Sequence, residues 1–193
     1  AYTAQGLSGA EVGVLVAFCS FTFALGTVML TGIVLLLEPE LSERFVDVLP
    51  VEASAATGAI LLGLVGLYVL GSVLHFRPLK IGSFEVHYPR IRVVLPQLIV
   101  APLELIGAAA IIYFALPAEH NPGYLTVLGV FLASFSLALL SHAPGGLGVL
   151  ELTFLSALPE VPKVDVLAAL IVFRGFYLLL PFALAMVVVL VFE

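Results

Sequence analysis

The chain has 193 residues, of which 62% are hydrophobic and 10% are charged, and its mean hydropathy is +1.24. A soluble domain carries about a quarter charged residues, so this composition excludes an ordinary soluble enzyme and predicts an integral membrane protein. The formal net charge of −6 lies mostly in one loop and gives no indication of nucleic-acid binding. The single cysteine, Cys19, cannot form an intrachain disulfide.

Five apolar runs are long enough to cross the hydrocarbon core, which takes roughly 20 helical residues. They are residues 12–37, 53–76, 93–116, 123–141 and 166–192. Ser8 and Glu11 fit a capping box at the start of the first run. A sixth run, 147–158, covers only about two thirds of a crossing at ~1.5 Å per residue. We therefore predict an all-α polytopic integral membrane protein with about five transmembrane helices and one short broken or re-entrant helix.

Small residues mark two helix faces that we expect to be packing surfaces. The first face carries Ser20, Ala24, Thr27 and Thr31 on the first helix, with the lining of a substrate path as the alternative. The second face carries Gly58, Gly63 and Gly66 on the second helix.

Basic and acidic residues lie in different loops. The loop 77–92 holds four basic residues (Arg77, Lys80, Arg90 and Arg92), whereas the loop 38–52 holds one arginine and five acids. Because basic loops stay in the cytoplasm, we place the first loop and the start of the chain inside and the acidic loop outside. Within the basic loop, LKIGSFEV alternates about a Gly-Ser pair, which is typical of a small β-hairpin. Contact of this loop with anionic lipid headgroups is an alternative to a purely orienting role.

The third predicted helix carries polar groups at membrane depth. Gln97 and Glu104 are seven residues apart and share a face, and Pro96 and Pro102 loosen the backbone beside them. Ionisable side chains inside a span are costly and usually face the bundle interior or a water-filled cavity. We therefore expect this face to be turned to the bundle interior or to a cavity.

The stretch SHAPGGLGVLE, residues 141–151, interrupts the apolar sequence. Pro144 disfavours helical geometry before it, and Gly145 and Gly146 adopt backbone conformations that other residues resist. A new helix is expected to begin near Leu147, with free N–H groups that attract anions. Broken helices of this kind build substrate sites in transporters, and Glu151 should then face the same cavity. A tight turn at the membrane surface is the alternative.

The last predicted helix carries Arg174 and Tyr177 on one face. An arginine keeps its proton, so Arg174 needs an acid or a phosphate as its partner. Glu104 and Glu151 are the candidate acids, and we expect Glu151 because only a brief loop separates its short helix from the last helix. Either this ion pair locks the bundle, or Arg174 meets a ligand phosphate in a hydrated cavity, or the ligand displaces the pair.

The candidate substrate-binding residues are His142, Pro144, Gly145, Gly146, Gly148, Glu151, Arg174, Tyr177, Glu104 and Gln97. No catalytic residue, no metal ligand and no cofactor is predicted.

Several of these stretches carry a resemblance to a known family. SHAPGGLGVLE resembles the PGG-G-x-x-E signature in the membrane region of the lysylphosphatidylglycerol synthetase/flippase (multiple peptide resistance factor) family, which also occurs in stand-alone bacterial membrane proteins. GLSGAEV is similar to the family's GLS-x-x-E segment, LPQLIVAPLELIGAAAIIYFALP to its Pro- and Gln-bearing helix with an acid, and ALIVFRGFYLLLPFALA to its R-x-x-Y-x-x-x-P helix. The likeness covers nearly all of the chain.

The resemblance implies a lipid-handling protein of the bacterial inner membrane. In the family's bifunctional members this region moves an aminoacylated phospholipid between leaflets. It also implies that residues 1–193 form a single transmembrane domain, the C-terminal part of a longer membrane region whose upstream helices would be partners.

Three functions stay open at this point. The favoured one is translocation or binding of a phospholipid similar to aminoacyl-phosphatidylglycerol. The second is an intramembrane enzyme acting on lipid or isoprenoid substrates, with His142 and Glu151 as base and acid, although no H-E-x-x-H motif and no nucleophile beside a base supports it. The third is a membrane scaffold without a substrate, which predicts that no cavity reaches Gly145 and Gly146. Helix faces rich in small residues also fit a homo-oligomer.

Overall fold

The computed structural model describes residues 8–45, 54–74, 79–81, 84–86, 89–141 and 146–192. Within these ranges the helices are α1 (Gly9–Leu37), α2 (Ala55–Val73), α3 (Ile91–Ala115), α4 (Tyr124–Ser141), α5 (Val149–Ala157), α6 (Lys163–Arg174) and α7 (Leu180–Phe192). A π-helical turn, Gly175–Leu179, joins α6 to α7, and 3₁₀ turns occupy Pro39–Phe45 and Ala118–His120. The strands are β1 (Leu79–Ile81) and β2 (Phe84–Val86).

The predicted all-α polytopic architecture is confirmed. Five helical segments are long and apolar enough to cross a membrane, and the fifth runs from Lys163 to Val191 through α6, the π-turn and α7. Helix α5 has nine residues, a length of ~14 Å, so it is too short to cross by itself, as expected.

Local sequence explains where the helices begin. The Ser8 backbone N–H donates to Glu11 Oε2 at 2.8 Å and the Glu11 N–H donates to Ser8 Oγ at 3.3 Å, which confirms the predicted capping box of α1. Ser54 caps α2 in a similar way by accepting from the Thr57 N–H at 3.3 Å. Pro96 and Pro102 both lie inside the continuous helix α3.

Glycines allow α1 to approach α2 and α3 closely. A Cβ atom on Gly26 would lie 2.7 Å from Ala101 Cβ in α3, and a Cβ atom on Gly58 in α2 would lie 2.8 Å from the Gly32 carbonyl oxygen. The predicted packing role of Gly58 is therefore correct. At Gly63 and Gly66 an added Cβ would meet nothing within 4 Å among the described residues, so the described structure shows no packing contact at these two positions.

Helices α4 and α5 form an antiparallel helical hairpin. Gly129, near the start of α4, packs against Leu41 in the turn that follows α1. Arg44 in the same turn donates to the Ala157 carbonyl at the end of α5, at 3.0 Å, and forms an ion pair with Glu160. The beginning of α4 and the end of α5 therefore lie at one end of the bundle, which we call the turn end.

The opposite end of the bundle, which we call the hairpin end, carries the connection from α2 to α3. There β1 and β2 pair antiparallel, with Lys80 opposite Glu85, which confirms the two strands of the predicted hairpin. Its turn residues, Gly82 and Ser83, and Arg77 lie outside the described residues. The cytoplasmic placement of this end stays a prediction.

The main core lies where α3, α4, α5 and α6 meet. Its largest fully buried side chains include Leu105, Phe131, Phe154 and Leu170. By contrast, the described side chains of α7 from Leu180 to Val191 are all exposed. The core therefore anchors α6 and leaves α7 at the edge of the described structure.

Candidate functional site

An open cleft of about 1120 Å³ lies between α1, α3 and α4. Aromatic and aliphatic side chains form most of its walls, among them Phe18, Phe23, Val100, Phe135 and Leu139. Polar groups interrupt these walls, and they include Ser20, Thr22, Thr27, Gln97, Glu104, Ser136 and Tyr177. The cleft is therefore amphipathic rather than purely apolar.

The cleft begins near the hairpin end and reaches the middle of the bundle. Its α3 wall runs from Val93 to Glu104, which lies thirteen residues, or ~20 Å, from the first residue of that helix. Its α4 wall comes from the last turns of that helix, Phe135 to Leu140. Glu104 therefore lies at the deep end of the cleft, at about half the depth of the membrane.

Gln97 is a buried wall residue that connects three helices. Its side chain is 4% exposed, its amide donates to Thr22 Oγ1 at 2.7 Å, and its oxygen accepts from the Tyr68 hydroxyl at 2.9 Å. Thr22 in turn donates to the Phe18 carbonyl at 2.9 Å. The amide therefore ties α3 to both α1 and α2 at the cleft wall.

Glu104 and Tyr177 meet at the deep end of the cleft. The Tyr177 hydroxyl donates to Glu104 Oε1 at 2.9 Å, and Glu104 remains exposed to the cleft. The Tyr177 ring stacks on Phe173, with ring centroids 5.1 Å apart and planes 18° apart. Phe173 is itself buried and contacts Phe131 in α4. A buried aromatic stack thus aims a tyrosine hydroxyl from the π-turn at a membrane-depth carboxylate.

Arg174 points inward and pairs with Glu151, as expected from the sequence. Arg174 Nη2 donates to Glu151 Oε1 at 2.7 Å, and the two side chains are 17% and 25% exposed. The other carboxylate oxygen of Glu151 accepts from the Gly148 N–H at 2.8 Å. The expectation of an open anion site at the start of α5 is wrong at this N–H, because the protein's own carboxylate takes it.

The predicted break between α4 and α5 is confirmed in the residues that the structure describes. Gly146 and Gly148 have φ angles of +63° and +82°, a left-handed conformation that favours glycine. A Cβ atom on Gly146 would lie 2.5 Å from Leu150 Cδ1 and 3.0 Å from Ala138 Cβ, so the chain also passes close to both helices here. His142, Pro144 and Gly145 lie outside the described residues.

The candidate residues therefore form two groups instead of one. Gln97, Glu104 and Tyr177 line the cleft, whereas none of Gly146, Gly148, Glu151 and Arg174 is among its described lining residues. The Glu151 carboxylate is directed to Arg174 and to the start of α5 and does not line this cleft, and its predicted place in a cavity at the break stays a prediction. The π-turn joins the two groups, since Arg174 immediately precedes it and Tyr177 lies within it.

The α1 wall of the cleft includes residues for which the sequence predicts helix packing. Ser20, Ala24 and Thr27 line the cleft, which agrees with the alternative for this face better than with close packing, and Thr31 is not among the described lining residues; that the cleft is a substrate path stays a prediction. Cys19 and Ser136 also line the cleft and were not singled out. A usable signal was the recurrence of hydroxyl side chains through the middle of an otherwise apolar α1. Across the described part of the chain, no three His, Cys, Asp or Glu side chains converge as a metal site.

Comparison with known proteins gives relatives but no matching family model. The chain is 29% identical over 181 residues to the uncharacterized protein slr0712 of Synechocystis sp., covering 93% of this chain and 56% of that protein. It is 28% identical over 196 residues to the inner membrane protein YbhN of Escherichia coli, covering 100% of this chain and 60% of that protein. The chain thus spans less than two thirds of the length of either relative.

A shorter match extends to a third group. The chain is 32% identical over 92 residues to the phosphatidylglycerol lysyltransferase of Staphylococcus haemolyticus, covering 46% of this chain and 11% of that protein. The five apolar helices and these relatives together indicate a multi-pass membrane protein. It is similar over its whole length to an inner membrane protein, and over 46% of its length to phosphatidylglycerol lysyltransferases.

Proposed function

We propose that the protein binds a membrane phospholipid in the α1–α3–α4 cleft and moves it between the leaflets of the bacterial inner membrane. The cleft itself carries this proposal. Its apolar walls suit acyl chains, and its polar groups continue from Gln97 down to Glu104 at about half-depth, where a headgroup in transit would otherwise lose its hydrogen bonds. An ordinary small-molecule pocket measures ~300–1,000 Å³, so a cleft of about 1120 Å³ has room for a headgroup and part of its chains.

The relatives support the same proposal. The Escherichia coli relative is by name an inner membrane protein, and the staphylococcal relatives are by name phosphatidylglycerol lysyltransferases. The finer form of the proposal is therefore a lipid similar to aminoacyl-phosphatidylglycerol. The proposed partners are this lipid and further helices of the full-length protein.

The Arg174–Glu151 pair has a structural role in this proposal. It joins α6 to the first turn of α5, and neither residue lines the cleft. The scaffold alternative predicts that no cavity reaches Gly145 and Gly146; Gly146 is not among the described lining residues of the cleft, and Gly145 lies outside the described residues. The geometry therefore favours a structural role at the break and a lipid-binding role at the cleft.

A leaflet-exchange assay tests the proposal. Full-length protein would be reconstituted into vesicles that contain fluorescent phosphatidylglycerol, and chemical quenching of the outer leaflet would report exchange. Ala24 is exposed to the cleft, so Ala24→Trp should fill it and reduce exchange to the level of protein-free vesicles. Gly63→Trp places the same bulk on the open side of α2 and serves as the matched control.

Two outcomes would count against the proposal. If vesicles with the wild-type protein exchanged lipid no faster than protein-free vesicles, translocation would be excluded. If Ala24→Trp exchanged lipid as fast as the wild type, the cleft would be excluded as the route. Mass spectrometry of the recovered lipid separates translocation from enzymatic conversion, because translocation leaves the mass of the lipid unchanged.

A further inference from the structure

Glu104 carries the one formal charge among the described residues that line the cleft. The described lining holds no lysine and no arginine, so it offers no cation to a phosphate group. A carboxylate at membrane depth is stabilised by hydrogen-bond donors or by a positive charge. The deep end of the cleft therefore favours a ligand group that donates hydrogen bonds over one that only accepts them.

The two oxygens of the Glu104 carboxylate differ in their hydrogen bonding. Oε1 accepts from the Tyr177 hydroxyl, whereas Oε2 has no hydrogen-bond partner within the part of the chain that the structure describes. Oε2 belongs to a residue that is exposed to the cleft, so a cleft occupant can reach it. Gln97 and Thr22, by contrast, already bond to each other, and Gln97 also bonds to Tyr68 and Thr22 to the Phe18 carbonyl, so that wall has its main hydrogen bonds within the protein.

The Tyr177 contact shows that Glu104 accepts a hydrogen bond from a hydroxyl group. The Tyr177 hydroxyl reaches the carboxylate from the π-turn, and its ring is held by stacking on Phe173, which does not depend on the hydroxyl. The tyrosine can therefore give up its bond to Glu104 without losing its aromatic packing. A ligand with a hydroxyl or an ammonium group would bond to Oε2 directly and compete with Tyr177 for Oε1.

We propose that Glu104 is the headgroup-selecting residue of the cleft, that it recognises lipid headgroups bearing hydroxyl or ammonium donors, and that the Tyr177 hydroxyl occupies this subsite in the absence of lipid. This inference rests on the proposed lipid-binding function and adds a substrate class to it. Polyol and primary-amine headgroups share the required donors. Headgroups that end in methyl groups lack them.

Protection of Cys19 from alkylation measures occupancy of the cleft. Cys19 is exposed, lines the cleft and is the only cysteine of this chain. The full-length protein, with any cysteine outside this chain replaced by serine, would be delipidated in detergent and titrated with lipid during maleimide labelling. Phosphatidylglycerol is compared with phosphatidylmethanol, which has the same charge without hydroxyls, and phosphatidylethanolamine with phosphatidylcholine, whose quaternary ammonium has no N–H.

The donor-bearing lipid of at least one pair should protect Cys19 at about tenfold lower concentration, a ratio equivalent to roughly 1.4 kcal/mol. Preference in the glycerol pair identifies hydroxyl recognition, and preference in the amine pair identifies ammonium recognition. Glu104→Gln should abolish the preference, whereas Glu119→Gln, an exposed glutamate near the turn end, should retain it. Tyr177→Phe should tighten binding of the preferred lipid several-fold, because it removes the competing hydroxyl and keeps the ring.

The possible failures are distinguishable. If no lipid protects Cys19, the lipid-binding function itself fails. If all four lipids protect equally, or if Glu104→Gln keeps the preference, lipid binding stands and the role of Glu104 is overturned. If Tyr177→Phe weakens binding instead, the tyrosine belongs to the lipid site and its competing role is overturned.

Discussion

Glu151 joins Arg174 to the first turn of α5. One carboxylate oxygen accepts from the guanidinium of Arg174 at 2.7 Å while the other accepts from the N–H of Gly148 at 2.8 Å. The acid therefore neutralises a partly buried cation and caps a helix that begins at membrane depth. Both tasks fall to a single side chain, so its removal would disturb α5 and α6 together.

Arg174→Ala should lower the stability of the protein. Removing one partner of a buried ion pair leaves an unpaired charge and typically costs ~3–5 kcal/mol, and the partial exposure of this pair favours the lower part of that range. Thermal unfolding of the purified variant in detergent measures the loss. Arg92→Ala, at an exposed position in the first turn of α3, is the control and should change stability by less than ~0.5 kcal/mol. An Arg174→Ala variant as stable as the control would show that the pair contributes nothing.

Gly146→Val should be far more damaging than Gly63→Val. At Gly146 a side chain meets both a left-handed backbone, which costs ~1–2 kcal/mol, and a contact at 2.5 Å with Leu150. At Gly63 an added Cβ meets nothing within 4 Å. Melting temperature and yield of folded protein would reveal the difference. Similar losses from both substitutions would mean that the conformation of the break does not matter.

Gly26→Ala should push α1 away from α3. The new Cβ would lie 2.7 Å from that of Ala101, and crowding of this kind costs ~1–3 kcal/mol. Adding Ala101→Gly removes the closest atom and should recover part of the loss, although the Ala101 backbone carbon at 3.1 Å remains in place. A double-mutant cycle on thermal stability measures this recovery. Strictly additive losses would argue against direct contact between these helices.

The hairpin end should lie in the cytoplasm. Arg90 and Arg92 begin α3 there, whereas Glu38, Glu40 and Glu43 cluster near the turn end. In a Cys19→Ser background of the full-length protein, an Arg90→Cys probe should resist an impermeant thiol reagent added to intact cells. A Glu40→Cys probe should react with that reagent. The reverse labelling pattern would invert the orientation and place the mouth of the cleft outside.

Local patterns predicted much of this fold. Apolar run length located the five spans, the spacing of Ser8 and Glu11 located the start of α1, and alternation about a Gly-Ser pair located β1 and β2. The partner of Arg174 was predictable because a brief connection keeps α5 beside α6. The capping residues and the two strands are close in sequence, and Arg174 had only two candidate acids, Glu104 and Glu151.

The position of the cleft was not predictable in the same way. Helical periodicity shows which residues share a face, but it does not show which helices that face meets. The hydroxyls of α1 and Glu104 of α3 are distant in sequence, so their convergence depends on how α1 packs between α2 and α3. Gly63 and Gly66 show the same limit, because a small residue allows a close approach without specifying that one occurs.

The π-turn at Gly175–Leu179 gives a rule for comparing this chain with its relatives. Such a turn accommodates one residue more than an α-helical turn, and one residue corresponds to a rotation of about 100° around the axis. A homologue with a one-residue gap between positions 175 and 179 would keep both flanking helices intact while its tyrosine pointed away from Glu104. Alignment gaps at these five positions therefore sort homologues into those that retain the contact between α3 and the last span and those that have lost it.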